Sequence, residues 1–413
     1  MLAARKFFID GNLVEKVEKG FAILGLLFFT GSFTRLFPEA VLSLLRYGIW
    51  LTSSFLIFYR WRKTLYIASR DIFLWLVTAL ALLSFSWSDA PKLTFSNSRE
   101  IMQMTSFGLY LASTFTLKEQ LKLLAWTLGI GTVASAIAAI GVPSFGTDLA
   151  GVHAGSWKGI YGHKNTFGSI MTLSLVVFFL LPVNNQRERI FKWFGFGLSV
   201  CLVLLSTSKT SLVLSISILL ILFLYSKFRW RGKLTVLLLD LAVLIVGGAA
   251  TLVLSNWEAI LTGMGKDPTL TGRTQMWGVI FEKLGERIWL GFGRGGFWAP
   301  GSQYALEAGL AVSRNFVPPH AHNGFIDLAL DIGLIGFLCF SISFLIAYFK
   351  ALKCAYLTKA PYDYWPLAFL SFLVINNLSE SLLLYLSNIY WVLYITVALS
   401  MQPNRSSSIH NKL

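Results

Sequence analysis

Two histidines, His320 and His322, open the stretch "HAHNGFIDLALDIG", followed by Asn323, Asp327 and Asp331. The last three recur every four residues, so a helix stacks them on one face. An imidazole titrates near neutrality, so either His320 or His322 could take a proton from a hydroxyl, and the rate should then fall below about pH 6. Cations gather in other short polar stretches: Lys164 beside His163 in "GIYGHKNTFG", Lys209 in "STSKTSL", Arg273 in "LTGRTQMW" and Arg294 in "GFGRGGF". Asn376, Asn377 and Glu380 lie in "NNLSESL". Such cations suit a lipid phosphate or diphosphate, and a nearby base suits deprotonation of an attacking hydroxyl. No Asp-x-Asp occurs in the two longest polar loops, so metal-free chemistry without a cofactor is expected. "GFGRGGF" lacks the Gly-Lys-Ser/Thr ending of a phosphate-binding loop and reads as a flexible connection.

Each residue also has a plainer reading. Asp327 and Asp331 could pair with cations to join helices, Lys209 could reach up to lipid headgroups, and His163 could be an ordinary loop residue. Their convergence on one side of the chain's layout favours a shared site.

The elements that position them follow from hydropathy. The chain is 55% hydrophobic and only 13% charged, against about 25% charged in soluble domains. Apolar runs recur at about 20–37, 39–59, 71–88, 101–117, 121–142, 166–183, 191–207, 210–226, 234–254, 323–349, 362–384 and 386–401. These predict an all-α polytopic membrane protein of about twelve spans. Lysine and arginine crowd alternate connections, such as Arg60, Arg62, Lys63 and Arg70, then Lys118 and Lys122, then Arg187, Arg189 and Lys192. By the positive-inside rule both termini are cytoplasmic. The net charge of +15 is then a topology signal, not a footprint for nucleic acid. No cleavable signal peptide is evident, and three cysteines offer neither a disulfide framework nor metal-ligand spacing.

A single membrane-embedded domain, 1–413, is therefore expected, with 143–165 and 255–322 outside. The second is the one large extracytoplasmic loop, between spans nine and ten. Within it Arg273 to Trp289 reads as an amphipathic helix, its stripe being Met276, Trp277, Ile280, Phe281, Leu284 and Ile288. Thr271 is its candidate N-cap, and Arg273 would sit in the first turn, where free backbone N–H groups favour an anion. Buried acids cost several kcal/mol unless paired or lining a cavity, so Asp327, Asp331 and Glu380 should face the bundle interior near its outer mouth.

At "GRTQMWGVIFEKLGERIWLGFGRGGF", "HAHNGFIDLALDIGLIGF", "SKTSL" and "GHKNTFG" the chain resembles the O-antigen ligase and polymerase superfamily, in its exopolysaccharide polymerase-like branch. The resemblance implies a metal-independent inverting glycosyltransferase of the bacterial inner membrane, its site facing the periplasm. The donor would be a glycan on a polyprenyl (undecaprenyl) diphosphate, the acceptor a sugar hydroxyl, and polysaccharide export machinery a candidate partner. Arg273 matches the family's outer-loop arginine and His322 its histidine at the head of the next span. Lys209 stands where ligases usually carry arginine. A lysine is a point charge that cannot grip a diphosphate through two parallel bonds, which favours polymerisation over ligation to another acceptor. A glycan transporter and a regulatory scaffold are the alternatives from other classes. Against a transporter, no internal repeat is detectable and the charges cluster outward.

Overall fold

The computed structural model describes residues 11–150, 154–228, 233–255, 273–314, 316–357, 360–385 and 387–401. The described residues are mostly helical and include no strand beyond an isolated bridge between Thr147 and Trp157. The helices are α1 (Gly11–Phe29), α2 (Glu39–Tyr59), α3 (Trp61–Ala68), α4 (Ile72–Leu83), α5 (Pro91–Thr114), α6 (Leu117–Gly141), α7 (Pro143–Gly146) and α8 (Lys164–Leu180). They continue as α9 (Gln186–Leu205), α10 (Lys209–Phe228), α11 (Lys233–Ser255), α12 (Arg273–Glu286), α13 (Gln303–Leu310), α14 (Gly324–Leu357), α15 (Trp365–Asn377) and α16 (Ile389–Ser400).

Each of the twelve apolar runs contains a helix, yet only part of that set is long enough to cross by itself. The helices α2, α6, α10 and α14 have both the length and the hydropathy, and the α3–α4 pair, bent by 96°, would make a fifth. Helix α16 has 12 residues and α15 has 13, well short of the roughly 20 that a hydrocarbon core requires. The molecule is a multi-pass membrane protein by its apolar helices. Large side chains such as Leu44, Phe55, Ile216 and Val246 point outward, as a lipid-facing surface demands and a watery one would not tolerate.

Inside the bundle, α16 is buried from Ile389 to Leu399 and α15 from Trp365 to Leu373. Without a hydrophobic drive between helices in lipid, small residues and hydroxyl pairs hold such a core. Gly108 of α5 lets α16 approach so closely that an added Cβ would lie 2.9 Å from the Val392 carbonyl oxygen. Thr172 of α8 meets Ser215 of α10 at 2.9 Å, and Ser199 of α9 meets Ser174 at 2.9 Å. Asp71 caps α4 through the Leu74 N–H at 3.0 Å and accepts the Ser343 hydroxyl at 2.7 Å, which ties α4 to α14.

Two expectations change. The run 323–349 is not one smooth helix: α14 breaks at Ile332 and Gly333, the latter at φ 66° and ψ −171°. The segment after α12 fills the break. The Phe292 N–H donates to Leu330 O at 2.7 Å, Leu334 N–H to Ile288 O at 2.7 Å, and Ile335 N–H to Trp289 O at 3.3 Å. Gly291 and Gly333 permit this, since a Cβ on Gly333 would fall 2.2 Å from the Trp289 carbonyl oxygen. Nor is "GFGRGGF" a flexible connection. Phe292 and Phe297 are fully buried, and they form a small core with Met276, Ile280, Ala321 and Leu330. The α12 stripe therefore divides: Met276 and Ile280 pack inward, while Phe281 and Ile288 are 55% and 43% exposed. Thr271 lies outside the described residues.

Candidate functional site

The backbone from Ala321 to Ile326 is held at most of its N–H groups. The Ala321 N–H donates to both oxygens of Asp327, at 3.1 and 3.2 Å, and the Ala321 carbonyl accepts the Trp277 indole N–H at 2.8 Å. Asp327 also accepts the Trp298 indole N–H at 2.8 Å and the Ser381 hydroxyl. Asn323 caps α14, its Oδ1 accepting from Phe325 N–H at 3.0 Å and Ile326 N–H at 3.2 Å. The Gly324 N–H donates to the Glu380 carbonyl at 3.1 Å. Only glycine fits at 324, because a Cβ would fall 1.9 Å from Asn377 Oδ1.

This clamp fixes two imidazoles with their ring centres 4.2 Å apart, edge to face. His322 adopts φ 54°, a left-handed backbone that is uncommon outside glycine and persists where surroundings enforce it. Its N–H donates to His320 Nδ1 at 3.1 Å. A neutral His320 must then carry its proton on Nε2 and can only donate from that side. His322 Nδ1 is buried without a hydrogen-bond partner among the described residues. Burial, with Arg273 and His163 adding, lowers His320 from 6.5 to about 4. Burial, then His320, Arg273 and His163, lowers His322 from 6.5 to about 2. Both rings are thus neutral at pH 7 and able to act as a base or a neutral donor.

Arg273, the first residue of α12, is half-buried against the 378–381 turn, its Nη1 lying 3.5 Å from the Ser379 carbonyl. Burial lowers its proton affinity and the charge of Glu380 opposes that shift. Glu380 accepts the Asn165 amide at 2.9 Å, and Asn165 in turn accepts the Ser208 hydroxyl at 3.3 Å. One chain of contacts thereby joins the starts of α8, α10 and α12. Lys164 and Lys209 begin α8 and α10 and lie close enough to repel each other. His163 Nδ1 accepts the Asn165 N–H at 3.2 Å and caps α8. A cavity of about 370 Å³ opens here, lined by His320, Glu380, Asn165, Tyr161, Tyr385 and Tyr390 among others.

Arg273, His163, His320, His322, Asn165 and Glu380 thus come together, with Lys164 and Lys209 beside them. The two acids of α14 do other things. Asp327 positions the histidine turn. Asp331 faces away into an ion pair with Arg294, Nη1 to Oδ2 at 3.0 Å, and accepts the Gly295 N–H at 2.8 Å. Trp277, Trp298, Ser381 and Asn165 hold the site together and escape a reading by spacing. The pairing of indole N–H with a buried acid joins residues 29 apart and leaves no local pattern. Tyr390, on the cavity wall, sits in a run that looks purely apolar, and Tyr161, also on that wall, lies beside the more conspicuous His163 and Lys164.

Residues 194–341 match the O-Antigen ligase family model. The exopolysaccharide production protein ExoQ of Rhizobium meliloti (strain 1021) is 32% identical over 123 residues, covering 28% of this chain and 28% of that protein. Both matches fall well short of whole-chain length, and both support the O-antigen ligase and polymerase superfamily. The family match contains Lys209, Arg273, His320, His322, Asp327 and Asp331.

Proposed function

We propose that this chain, a polysaccharide-synthesis membrane protein of the O-antigen ligase and polymerase superfamily, transfers a saccharide from a polyprenyl diphosphate to a sugar hydroxyl. The observation that carries this reading is the clamped His320–Asn323 turn, set on a cavity it shares with Glu380 while Arg273 lowers the proton affinity of both imidazoles. A rigid base beside a half-buried cation is what proton removal coupled to a departing diphosphate needs.

In this reading the diphosphate rests on Arg273 and Lys209, with Lys164 nearby. His322 takes the proton of the acceptor hydroxyl. The hydroxyl oxygen bonds to the anomeric carbon from the side opposite the diphosphate, whose bond to that carbon breaks, so configuration inverts. His320, protonated on Nε2, donates a hydrogen bond into the cavity. Donor binding makes His322 a better base, because the diphosphate offsets the Arg273 charge that holds the imidazole's proton affinity down. Both termini would be cytoplasmic, 255–322 would be periplasmic, and twelve crossings of the inner membrane would carry the site. Lys209, a point charge in place of a bidentate arginine, favours chain polymerisation over ligation.

Purified protein incubated with a polyprenyl-diphosphate-linked oligosaccharide should yield extended glycan and free lipid diphosphate. His322→Asn should lose at least about a hundredfold in turnover, the lower range of a positioned base, while still retaining donor. Asparagine tolerates the left-handed backbone, so the fold survives. Wild-type turnover in His322→Asn would remove His322 from the mechanism, and absence of any transfer by the unmodified chain would overturn the reading.

A further inference from the structure

A second polar cleft, of about 780 Å³, lies at the opposite end of the bundle. Helix α14 connects the two: from Gly333 to Lys350 it climbs about 26 Å at 1.5 Å per residue. Five cations line the cleft, namely Lys63, Arg70, Lys118, Lys350 and Lys353, against the single carboxylate of Asp363. Among the described residues none of the five makes an ion pair within 4.0 Å, though Glu119, Glu188 and Asp71, outside the cleft, are near enough to act on Lys63, Lys118 and Lys350 respectively. The five cations come from three separate parts of the chain, 63–70, 118 and 350–353, which the fold brings to one cleft. Two are locked into the frame: Arg70 Nη1 donates to the Leu399 carbonyl at 2.7 Å, and Lys350 reaches the Arg70 carbonyl at 3.5 Å. The other three are exposed lysines, Lys118 lying over the Tyr362 ring with its Nζ 6.0 Å from the centroid.

Crowded like charges repel, and a bound anion relieves that repulsion. The cleft is not purely polar: Ile67, Phe115, Leu117, Phe349 and Met401 contribute to its wall. Phe349 is 57% exposed and neighbouring Leu65 and Tyr66 are 60% and 67% exposed, so apolar surface continues outward from the cations. Phosphate-binding charge that grades into apolar surface at the end of a membrane helix fits an amphiphile better than a soluble anion.

We infer that this cleft binds the phosphate headgroup of an anionic membrane lipid, on the face of the membrane opposite the histidine cavity. The site is independent of the transfer chemistry.

Native mass spectrometry of the detergent-purified full chain, titrated with cardiolipin or phosphatidylcholine, tests it. Wild-type protein should retain cardiolipin at least about tenfold more tightly. Each basic residue near a lipid surface contributes about fivefold, so Lys63→Gln/Lys118→Gln/Lys353→Gln should weaken retention by about a hundredfold. The comparison triple Arg62→Gln/Arg187→Gln/Arg189→Gln removes exposed cations outside the cleft and should keep wild-type retention. Lys118→Gln alone, expected to lose about fivefold, serves if the cleft triple fails to fold. Equal retention of the two lipids, or equal loss in both triples, would overturn the site. Displacement of cardiolipin by an equimolar amount of inorganic pyrophosphate would overturn the lipid assignment in favour of a soluble phosphate ligand.

Discussion

An ordinary imidazole and the buried pair described above give different acid limbs, and the difference is large enough to measure. With a pKa of 6.5 only about a tenth of a free histidine is neutral at pH 5.5. With His320 at about 4 and His322 at about 2, both remain essentially neutral there. The value of kcat/KM reports the free protein's essential groups. It should therefore stay flat from pH 8 to about pH 5, where an unperturbed base would already have lost roughly thirtyfold. The expectation from sequence, a fall below about pH 6, gives way because burial and Arg273 disfavour the imidazolium. At saturating donor the diphosphate offsets Arg273, so the limb in kcat should move to higher pH than that in kcat/KM. Initial rates of glycan transfer in lipid nanodiscs, at low and saturating donor from pH 4.5 to 8, would measure both. A kcat/KM limb near 6.5, or limbs in the reverse order, refutes the assignment. The same shifts set a stability trend. The unfolded chain binds protons that the folded chain refuses, so this contribution is complete above about pH 6.5 and is lost as pH falls toward 4.

The ion pair of Arg294 and Asp331 is nearly dry, at 10% and 4% side-chain exposure. Asp331→Asn should cost about 3 kcal/mol, the low end for orphaning a buried charge, because asparagine still accepts the Gly295 N–H; adding Arg294→Met should restore most of the thermal midpoint. Gly333→Ala should cost about 3 kcal/mol or more from backbone strain and the clash with Trp289, whereas Gly278→Ala, where a Cβ meets open space in α12, should be neutral or slightly stabilising; thermal unfolding in detergent compares them. For topology, cysteines at Gln186 and Gln303 in a cysteine-free background should label oppositely with an impermeant thiol reagent, and labelling of both from one side would defeat the proposed orientation.

Helices and their rough places were legible because apolar runs of membrane length can do little else. Their ends were less so. The chain leaves α4 at Leu83 for a tight turn of helix over Ser84–Ser86 and leaves α15 at Asn377 for the polar turn 378–381, so both helices stop short of the ends expected at 88 and 384. The site's titratable residues stood out as polar groups in an apolar text. What spacing could not give was division of labour. Asp327 and Asp331 look alike at i and i+4, yet one meets a backbone N–H and an indole while the other meets Arg294. Their partners lie in the loop before the helix, and only tertiary packing chooses between them. "GFGRGGF" misled for a related reason. Its glycines serve close contact: Gly291, Gly293 and Gly295 at positive φ press against Leu330 O, Ser88 and Asn97, and the sequence reads the same as it would for slack.

The interruption in α14 has a mechanical corollary. A helix broken at glycine ordinarily behaves as a hinge, since the freed carbonyls and amides have only solvent to turn to. Here main-chain atoms of Ile288, Trp289 and Phe292 take up those groups, so the joint is a mortise rather than a pivot. The cap that carries α12, α13 and the histidine turn must ride rigidly with the lower part of α14. Across the cavity the starts of α8 and α10 are joined to the Glu380 turn through side chains, Asn165 to Glu380 and Ser208 to Asn165, whereas the Glu380 carbonyl ties that turn to Gly324 of α14 by backbone, so the side-chain wall is the less firmly built of the two.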